Sequence, residues 1–420
     1  MVRTKPTIIT GRVTGNPLKH LRVSDIRGIA QLATQATAGV TRIVEGVHQA
    51  VLGTVGFRSI AHGHTGGFTR LVYTSIHAVT RLLGKGVDTV LATLQRQLEL
   101  DEEATPGSHE RETMLAILNG VLGDHLLASN NPLTTRMSLR YLSKALNWPA
   151  LPEITEATGK VLLLVHGLCM NDLQWQAQDK GRVVSHGETL ALALAYSPIY
   201  VRYNSGLHIS LNGRELSAHL EQLIAHWPVP IEELTVVAHS MGGLLIRSAL
   251  YYARQQNLLW PDYLKSIVFL GTPHHGAPLE RAGNWIDALL DTTPFTAPFA
   301  RLGKLRSAGI TDLRYGFLLD EDWQGRDRFK RQTDTRKQVP LPEGVACYTI
   351  AATTAGRRGI MADRLVGDGL VPLLSALGQH HDAPRSLGFA KNSQRIYFHM
   401  KHIELLSSQE VSLQLLKWLK

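Results

Sequence analysis

The chain has 420 residues, of which 44% are hydrophobic, and a formal net charge of +9. This length predicts one large domain with an accessory region or two domains, and the apolar content argues against wholesale disorder. Two cysteines are too few to indicate a disulfide framework or a zinc site.

The apolar runs in the sequence indicate whether to expect a secretory signal or a transmembrane helix. Residues 1–17 are basic, but no apolar run follows them, so we expect no cleaved secretory signal. No stretch of about 18 uninterrupted apolar residues occurs, so we expect no transmembrane helix. We therefore expect a cytoplasmic protein in which Cys169 and Cys347 are reduced thiols.

Residues 1–146 have the pattern of a helical accessory region. Apolar residues recur there at three- and four-residue steps, which places each set along one face of a helix. The three sets run from Ile29 to Val51, from Val72 to Leu98 and from Leu115 to Leu126. We expect these faces to pack on one another or on the rest of the molecule.

The positive charge is concentrated at the start of the chain. Residues 1–100 contain twelve Lys or Arg and four Asp or Glu, an excess of +8. Such a region is typical of a solvated surface, and peripheral contact with an anionic membrane is the alternative that we keep. The sequence has no zinc finger, aromatic RNA-binding motif or long basic run, so we expect no nucleic-acid partner.

From Lys160 onward, short apolar runs alternate with amphipathic helical stretches. The predicted strands are Val161–Val165, Ile199–Tyr203, Leu234–Ala238, Ser266–Leu270, Ala346–Ala351 and Arg395–Phe398. The predicted helices are Gly187–Ala195, Leu211–Trp227, Met241–Arg254 and Ser408–Leu419. This alternation predicts an α/β domain over 160–420, with a mostly parallel sheet covered by helices on both faces.

Ser240 is the candidate nucleophile. It lies in the run Ala238-His239-Ser240-Met241-Gly242, between a predicted strand and a predicted helix. A small-x-Ser-x-Gly turn at such a junction holds the serine hydroxyl clear of the sheet, and it needs small residues two positions before and after the serine. Ala238 stands where glycine is usual, so a methyl group must fit in the turn.

The loop after the first predicted strand is the candidate for an oxyanion-binding site. His166 and Gly167 follow that strand. In this type of turn, one amide of this loop and the amide after the nucleophile stabilise the oxyanion of the tetrahedral intermediate. Leu168 and Met241 are the predicted donors, and we expect His166 to shape the loop rather than to act as a base.

Two further side chains would complete a triad. The acid should follow the serine in the chain, and Asp368 in a glycine-flanked loop fits, with Asp363 as its rival. The base should lie between the last strand and the last helix. There we prefer His402 to His399, because His402 is nearer to the helix-entry loop and His399 ends the strand.

Five motifs in this order resemble one family. They look like the bacterial esterase/lipase branch of the α/β-hydrolases and are similar to the GPI inositol-deacylase-like group, over 160–420. The motifs are His166-Gly167, Ala238–Gly243, Leu270–Gly276, Gly367–Pro372 and His402–Leu406. The resemblance implies an α/β-hydrolase fold, hydrolysis of carboxylic esters by Ser240, Asp368 and His402, and no cofactor.

The resemblance also implies that Leu270–Gly276 borders the active site, where His274 and His275 are candidates to line the pocket. The segment at about 277–345 carries apolar residues in helical spacing, and we expect a helical cap over the site. We expect no metal, because the histidines lack ligand spacing.

The sequence therefore predicts a serine hydrolase acting on lipidic or other acyl esters. The same triad could transfer an acyl group or cleave an amide, and a non-catalytic, membrane-associated scaffold is the alternative of a different class.

Overall fold

A computed structural model describes residues 22, 24–25, 27–35, 109–148, 154, 156–179, 182–277, 307–327, 334–359 and 367–420. The chain divides into two compact units, Met1–Arg111 and Glu112–Lys420. In the first unit, residues 24–25 and 27–35 are helical and include the start of the first predicted helical set, whose residues 36–51 lie outside the described residues. The second set, from Val72 to Leu98, and most of the basic region lie outside the described residues.

The second unit is built on a sheet that has eight strands among the described residues, in the order β10-β9-β8-β7-β3-β6-β1-β2. The six neighbouring strands β10, β9, β8, β7, β3 and β6 are parallel. Beyond β6, the strands β1 and β2 extend the sheet in antiparallel register. The strands are β1 Ser138–Tyr141, β2 Lys144–Ala145, β3 Lys160–Val165, β6 Ser197–Arg202, β7 Glu233–His239, β8 Leu264–Leu270, β9 Ala346–Thr353 and β10 Gln394–Phe398, and a separate pair is β4 Gln176–Asp179 and β5 Arg182–Ser185.

Helices cover this sheet and connect its parallel strands. Their lengths range from four-residue turns to the 20-residue α1. The helices are α1 His109–Ala128, α2 His186–Leu194, α3 Ile209–His226, α4 Met241–Gln255, α5 Ala308–Tyr315, α6 Asp320–Trp323, α7 Leu373–Ala376 and α8 Gln409–Leu419.

The core lies on both faces of the sheet, as the continuous apolar strands predict. Successive residues of β3 point to opposite faces. Leu162 and Leu164 belong to one buried cluster, while Val161, Leu163 and Val165 belong to the other. The predicted mostly parallel α/β architecture is therefore confirmed, and each of the six predicted strands is present.

The structure divides the chain at a different place from the predicted one. We expected residues 1–146 to form the accessory region, but β1 pairs with β6 in the main sheet. In α1, Ile117 and Val121 belong to the same buried cluster as Leu162 and Leu164. The compact unit therefore starts at Glu112. The edge strand β1 and most of helix α1 belong to it, although both precede the first parallel strand in the chain.

The predicted cap segment, 277–345, is described in part. Its apolar set from Trp285 to Leu305 lies outside the described residues, and the described part contains α5 and α6. No helix among the described residues is long and apolar enough to span a membrane.

Candidate functional site

Ser240 occupies a strained turn between β7 and α4. Its φ is 53° and its ψ is −123°, a conformation with positive φ that residues bearing a Cβ rarely adopt. The turn is held because Ser240 donates its backbone N–H to Leu270 O at 2.8 Å and accepts from Gly243 N at 3.0 Å. The Ser240 Oγ is buried and has no hydrogen-bond partner among the described residues.

Crowding explains the small residues around Ser240. A Cβ at Gly242 would lie 2.5 Å from Val165 O and 2.6 Å from His166 O, so glycine is needed there. Ala238, in contrast, is an ordinary residue of β7, fully buried and paired with both neighbouring strands. Its methyl group packs in the core, which is why alanine can replace the usual glycine.

The loop after β3 approaches the serine closely. A Cβ at Gly167 would lie 3.0 Å from Ser240 Cβ, so the peptide that leads into Leu168 lies beside the candidate nucleophile. Met241 is the first residue of α4, where backbone N–H groups have no partner within the helix. The structure thus places both predicted donors, Leu168 and Met241, next to Ser240.

Ser205 supports this loop through a hydrogen bond. Cys169, with φ of 58°, donates its backbone N–H to the Oγ of Ser205 at 3.0 Å. Both residues are buried. We did not single out Ser205 from the sequence, and no local pattern would have found it, because it follows β6 rather than β3.

His166 and His239 are buried, and each stays in the neutral form. His166 donates from Nδ1 to Gly167 O at 2.8 Å and stacks on Tyr203 at 4.3 Å between ring centroids. Burial lowers the pKa of His166 to about 4, which fits the expected role of shaping the loop. Burial, and then the neighbouring His402, holds the pKa of His239 well below its usual value, and its Nε2 donates to His402 O at 3.2 Å.

Asp368 sits in a tight loop between Gly367 and Gly369, which have φ of 51° and 97°. Its Oδ1 accepts from the backbone N–H groups of Leu370 at 3.0 Å and Val371 at 2.8 Å. The side chain is buried. These contacts fix the carboxylate in one orientation and leave Oδ2 facing His402.

His402 is the partner of this carboxylate. The distance from His402 Nδ1 to Asp368 Oδ2 is 2.6 Å, and His402 N donates to Asp368 O at 3.2 Å. His399 lies at the exposed end of β10, against Gly356. Asp363, the rival acid, lies outside the described residues. The structure therefore brings together the preferred acid and the preferred base.

Ser240 and His402 both flank the end of β8. Ser240 N is bonded to Leu270 O, and a Cβ on the next residue, Gly271, would lie 3.1 Å from both Cε1 and Nδ1 of His402. Ser240 and the hydrogen-bonded pair of Asp368 and His402 thus lie at the carboxyl ends of the parallel strands, where ligands bind in open α/β folds. Ser240 Oγ itself makes no hydrogen bond to His402 in this structure.

His274 and His275 lie in the loop after β8 and line a cavity with Arg247 and Arg336. Ser240, Asp368 and His402 do not line this cavity, so the expected place of the two histidines at the active-site pocket stays a prediction. Arg247 lies on α4, and its role was not predicted, because an arginine in an amphipathic helix usually faces solvent. Among the described residues, no group of three His, Cys, Asp or Glu side chains is arranged to hold a metal.

Comparisons place part of this chain among known proteins. Residues 156–339 match the family model described as PGAP1-like alpha/beta domain, and no curated protein matches the chain. The mature Bacillus licheniformis lipase BlEst2 is a similar solved structure, with 18% identity, 62% of this chain and 91% of that chain covered, and a TM-score of 0.38.

The Pyrococcus furiosus esterase Pf2001 has 12% identity, 63% and 81% coverage and a TM-score of 0.35. An inhibitor complex of Bacillus megaterium epoxide hydrolase has 12% identity, 63% and 95% coverage and a TM-score of 0.34. Identities and TM-scores this low carry no argument about function.

Proposed function

We propose that this protein is a serine hydrolase that cleaves carboxylic esters, with Ser240 as nucleophile, His402 as base and Asp368 as the acid that orients the base. The hydrogen bond between His402 Nδ1 and Asp368 Oδ2, at 2.6 Å, is the observation that carries the proposal. It lies at the same sheet edge as the strained turn of Ser240. We expect the substrates to be lipidic or other acyl esters.

The proton positions follow from this bond. A carboxylate accepts hydrogen bonds, so the Nδ1 of His402 carries the proton and its Nε2 is left as the base. In the proposed reaction, Nε2 takes the proton of Ser240 Oγ as that oxygen attacks the ester carbonyl. Asp368 stabilises the imidazolium that forms.

The negative charge of the tetrahedral intermediate needs donors that are already oriented. The amides of Leu168 and Met241 are the candidates, because both adjoin Ser240 and the second begins a helix, whose amino end favours negative charge. His402 then gives its proton to the leaving alcohol. Water attacks the acyl-enzyme by the same route and releases the acid.

The test is turnover of p-nitrophenyl esters of several chain lengths by the wild type and by Ser240→Ala. We expect Ser240→Ala to lose activity by about a thousandfold or more, since the residues of a triad act as a unit. The matched control is Ser248→Ala, which removes another buried serine of α4 whose hydroxyl donates to Leu318 O at 2.7 Å, away from the proposed triad.

Equal turnover by the wild type and Ser240→Ala would eliminate this nucleophile. A fluorophosphonate probe with peptide mapping gives a second readout, in which the label should sit on Ser240. A folded protein that never takes the label would favour a non-catalytic scaffold, and product analysis with added alcohols separates hydrolysis from acyl transfer.

A further inference from the structure

A second, cationic cavity lies beside the proposed triad. It is bounded by α4, the loop after β8 and the segments around 316–322, 336–339 and 385–387. The cavity is small, with a volume of about 30 Å³, which is room for about two water-sized groups. Of the described residues that line it, four are cationic and one is a carboxylate: Arg247, Arg336, Lys337, Arg385 and Asp322.

Arg247 is the buried cation of this cavity. It is only 5% exposed. Its guanidinium donates to Val339 O at 2.5 Å and to His274 Nδ1 at 3.4 Å. Its Nε has no hydrogen-bond partner among the described residues. A buried guanidinium that lacks a carboxylate partner is costly, because it has lost water without gaining an opposite charge.

His274 supplies a second donor. Burial, and then the charge of Arg247, holds the pKa of His274 well below its usual value, so the ring is neutral. Because Nδ1 accepts from Arg247, the proton of the neutral ring is on Nε2. This Nε2 is buried and has no partner within the described part of the chain.

The acids nearby do not neutralise Arg247. Asp322 accepts from the backbone N–H groups of Leu318, Leu319 and Lys337. Asp334 pairs with Arg336 at 2.8 Å and with Arg385 at 3.2 Å. Among the described residues, the lining of the cavity therefore keeps an excess of positive charge, and two of its residues, Arg247 and His274, each carry a buried N–H without a partner.

We propose that this cavity binds a phosphate-class oxyanion. Its oxygens would accept from Arg247 Nε and His274 Nε2, and the guanidinium groups of Arg336 and Arg385 would add positive charge near its opening. Guanidinium N–H groups suit phosphate oxygens in geometry and charge.

This site is distinct from the proposed triad. Arg247 is seven residues after Ser240, in the helix that follows it, and seven helical residues rise about 10 Å. Anion binding does not require Ser240 to be a nucleophile. The same binding measurements on Ser240→Ala separate the two proposals, since that variant should bind the anion like the wild type.

The first test is calorimetric titration with inorganic phosphate at constant ionic strength, set with chloride. Arg247→Met keeps the length of the side chain and removes its charge and donors. We expect the affinity to fall by about tenfold to a hundredfold, the usual effect of losing a hydrogen bond to a charged group. The matched control is Arg254→Met, which removes an exposed arginine two turns further along α4 and should leave the affinity unchanged.

A second ligand distinguishes the source of the anion. If glycerol phosphate binds as well as inorganic phosphate does, the site takes the phosphate group of a larger molecule; if only inorganic phosphate binds, it is a free-anion site. Both results support the proposal. Absence of binding by both ligands, or equal binding by the wild type and Arg247→Met, would overturn it.

A third measurement needs no variant and so remains decisive if Arg247→Met does not fold. Crystals of the wild type grown with selenate, a tetrahedral oxyanion, should show an anomalous selenium peak in the cavity, with an oxygen in hydrogen-bond distance of Arg247 Nε. An empty cavity under these conditions would mean that Arg247 serves only to anchor the backbone at Val339.

Discussion

At the scale of single residues, strain and hydrogen bonding prepare the proposed site in advance. Ser240 is kept at positive φ by backbone hydrogen bonds to Leu270 and Gly243. Asp368 is fixed by two backbone N–H donors, so that one oxygen remains for His402. Groups that are oriented before the reaction need little reorganisation in the transition state.

Asp368→Asn tests the orienting role of the carboxylate. An amide in this place can donate to His402 Nδ1 and so favour the wrong tautomer, with the proton on Nε2. We expect kcat for a p-nitrophenyl ester to fall by about three to four orders of magnitude, with the fold intact, as in the trypsin case from which this magnitude is taken. Circular dichroism checks the fold, and a kcat within a few fold of wild type would rule out the assigned acid.

Gly242→Ala tests the crowding behind Ser240. Its Cβ would meet two backbone carbonyl oxygens, of Val165 and His166, which cannot move aside as side chains do. We expect a loss of about 1–3 kcal/mol in the free energy of unfolding, measured with urea. Gly388→Ala is the control, because a Cβ there has no atom within 4 Å. A similar small effect for both variants would contradict the reasoning.

At the scale of elements, the loop after β3 is held by parts of the chain that are distant in sequence. Helix α1 approaches it so closely that a Cβ at Gly120 would lie 2.3 Å from Cys169 Sγ. The loop is also held by Ser205, which follows β6 and accepts the Cys169 backbone N–H. The orientation of the Leu168 amide thus depends on an upstream helix and on a neighbouring strand.

Ser205→Ala tests this support. The substitution leaves the buried N–H of Cys169 without its partner, at a cost of about 1–3 kcal/mol, and frees the loop. If Ser205 positions the oxyanion donor, kcat should fall by about tenfold while KM changes little. Ser248→Ala also removes a buried hydroxyl and should lower stability without lowering kcat. A loss of stability with unchanged kcat in Ser205→Ala would make the residue merely structural.

At the scale of the whole molecule, buried histidines form hydrogen bonds between elements that are far apart in the chain. His186, at the start of α2, is fully buried. Its Nε2 donates to Leu405 O at 2.8 Å, and its Nδ1 accepts from Ser412 Oγ at 2.7 Å. Burial keeps the ring neutral, and these bonds hold the segment that follows His402 against the start of α2.

This burial predicts acid sensitivity. Burial lowers the pKa of His166 and of His186 to about 4, whereas an imidazole in the unfolded chain has a pKa of about 6.5. Above pH 6.5 both states are neutral and no stability is lost. Between about 6.5 and 4 only the unfolded chain takes up the protons, so stability falls as the pH falls, by about 2 kcal/mol per histidine at pH 5.

Urea unfolding of the full chain at pH 7 and pH 5 measures this fall. His186→Gln removes one of the buried rings whose pKa is lowered, and we expect a smaller difference between the two pH values than in the wild type. His381→Gln, which replaces an exposed histidine, should leave the difference unchanged. The idea fails if His186→Gln keeps the full pH dependence.

The amino-acid sequence alone determined the features that depend on neighbouring residues. Apolar runs such as Val161–Val165 indicated the six parallel strands because a strand buried on both faces must be apolar throughout. The small residues around Ser240 and the glycines around Asp368 indicated tight turns because only such residues fit there. The pair Asp368 and His402 was found from chain order and loop position.

Only the tertiary structure decided what joins distant parts of the chain. Its backbone pairing added β1 to the sheet and moved the boundary upstream from the predicted 146. It also put Ser205 beside the loop after β3 and Arg247 beside His274 at a cavity. Such contacts produce no periodic pattern in the sequence, because each contact depends on the packing of distant segments and not on neighbouring residues in the chain.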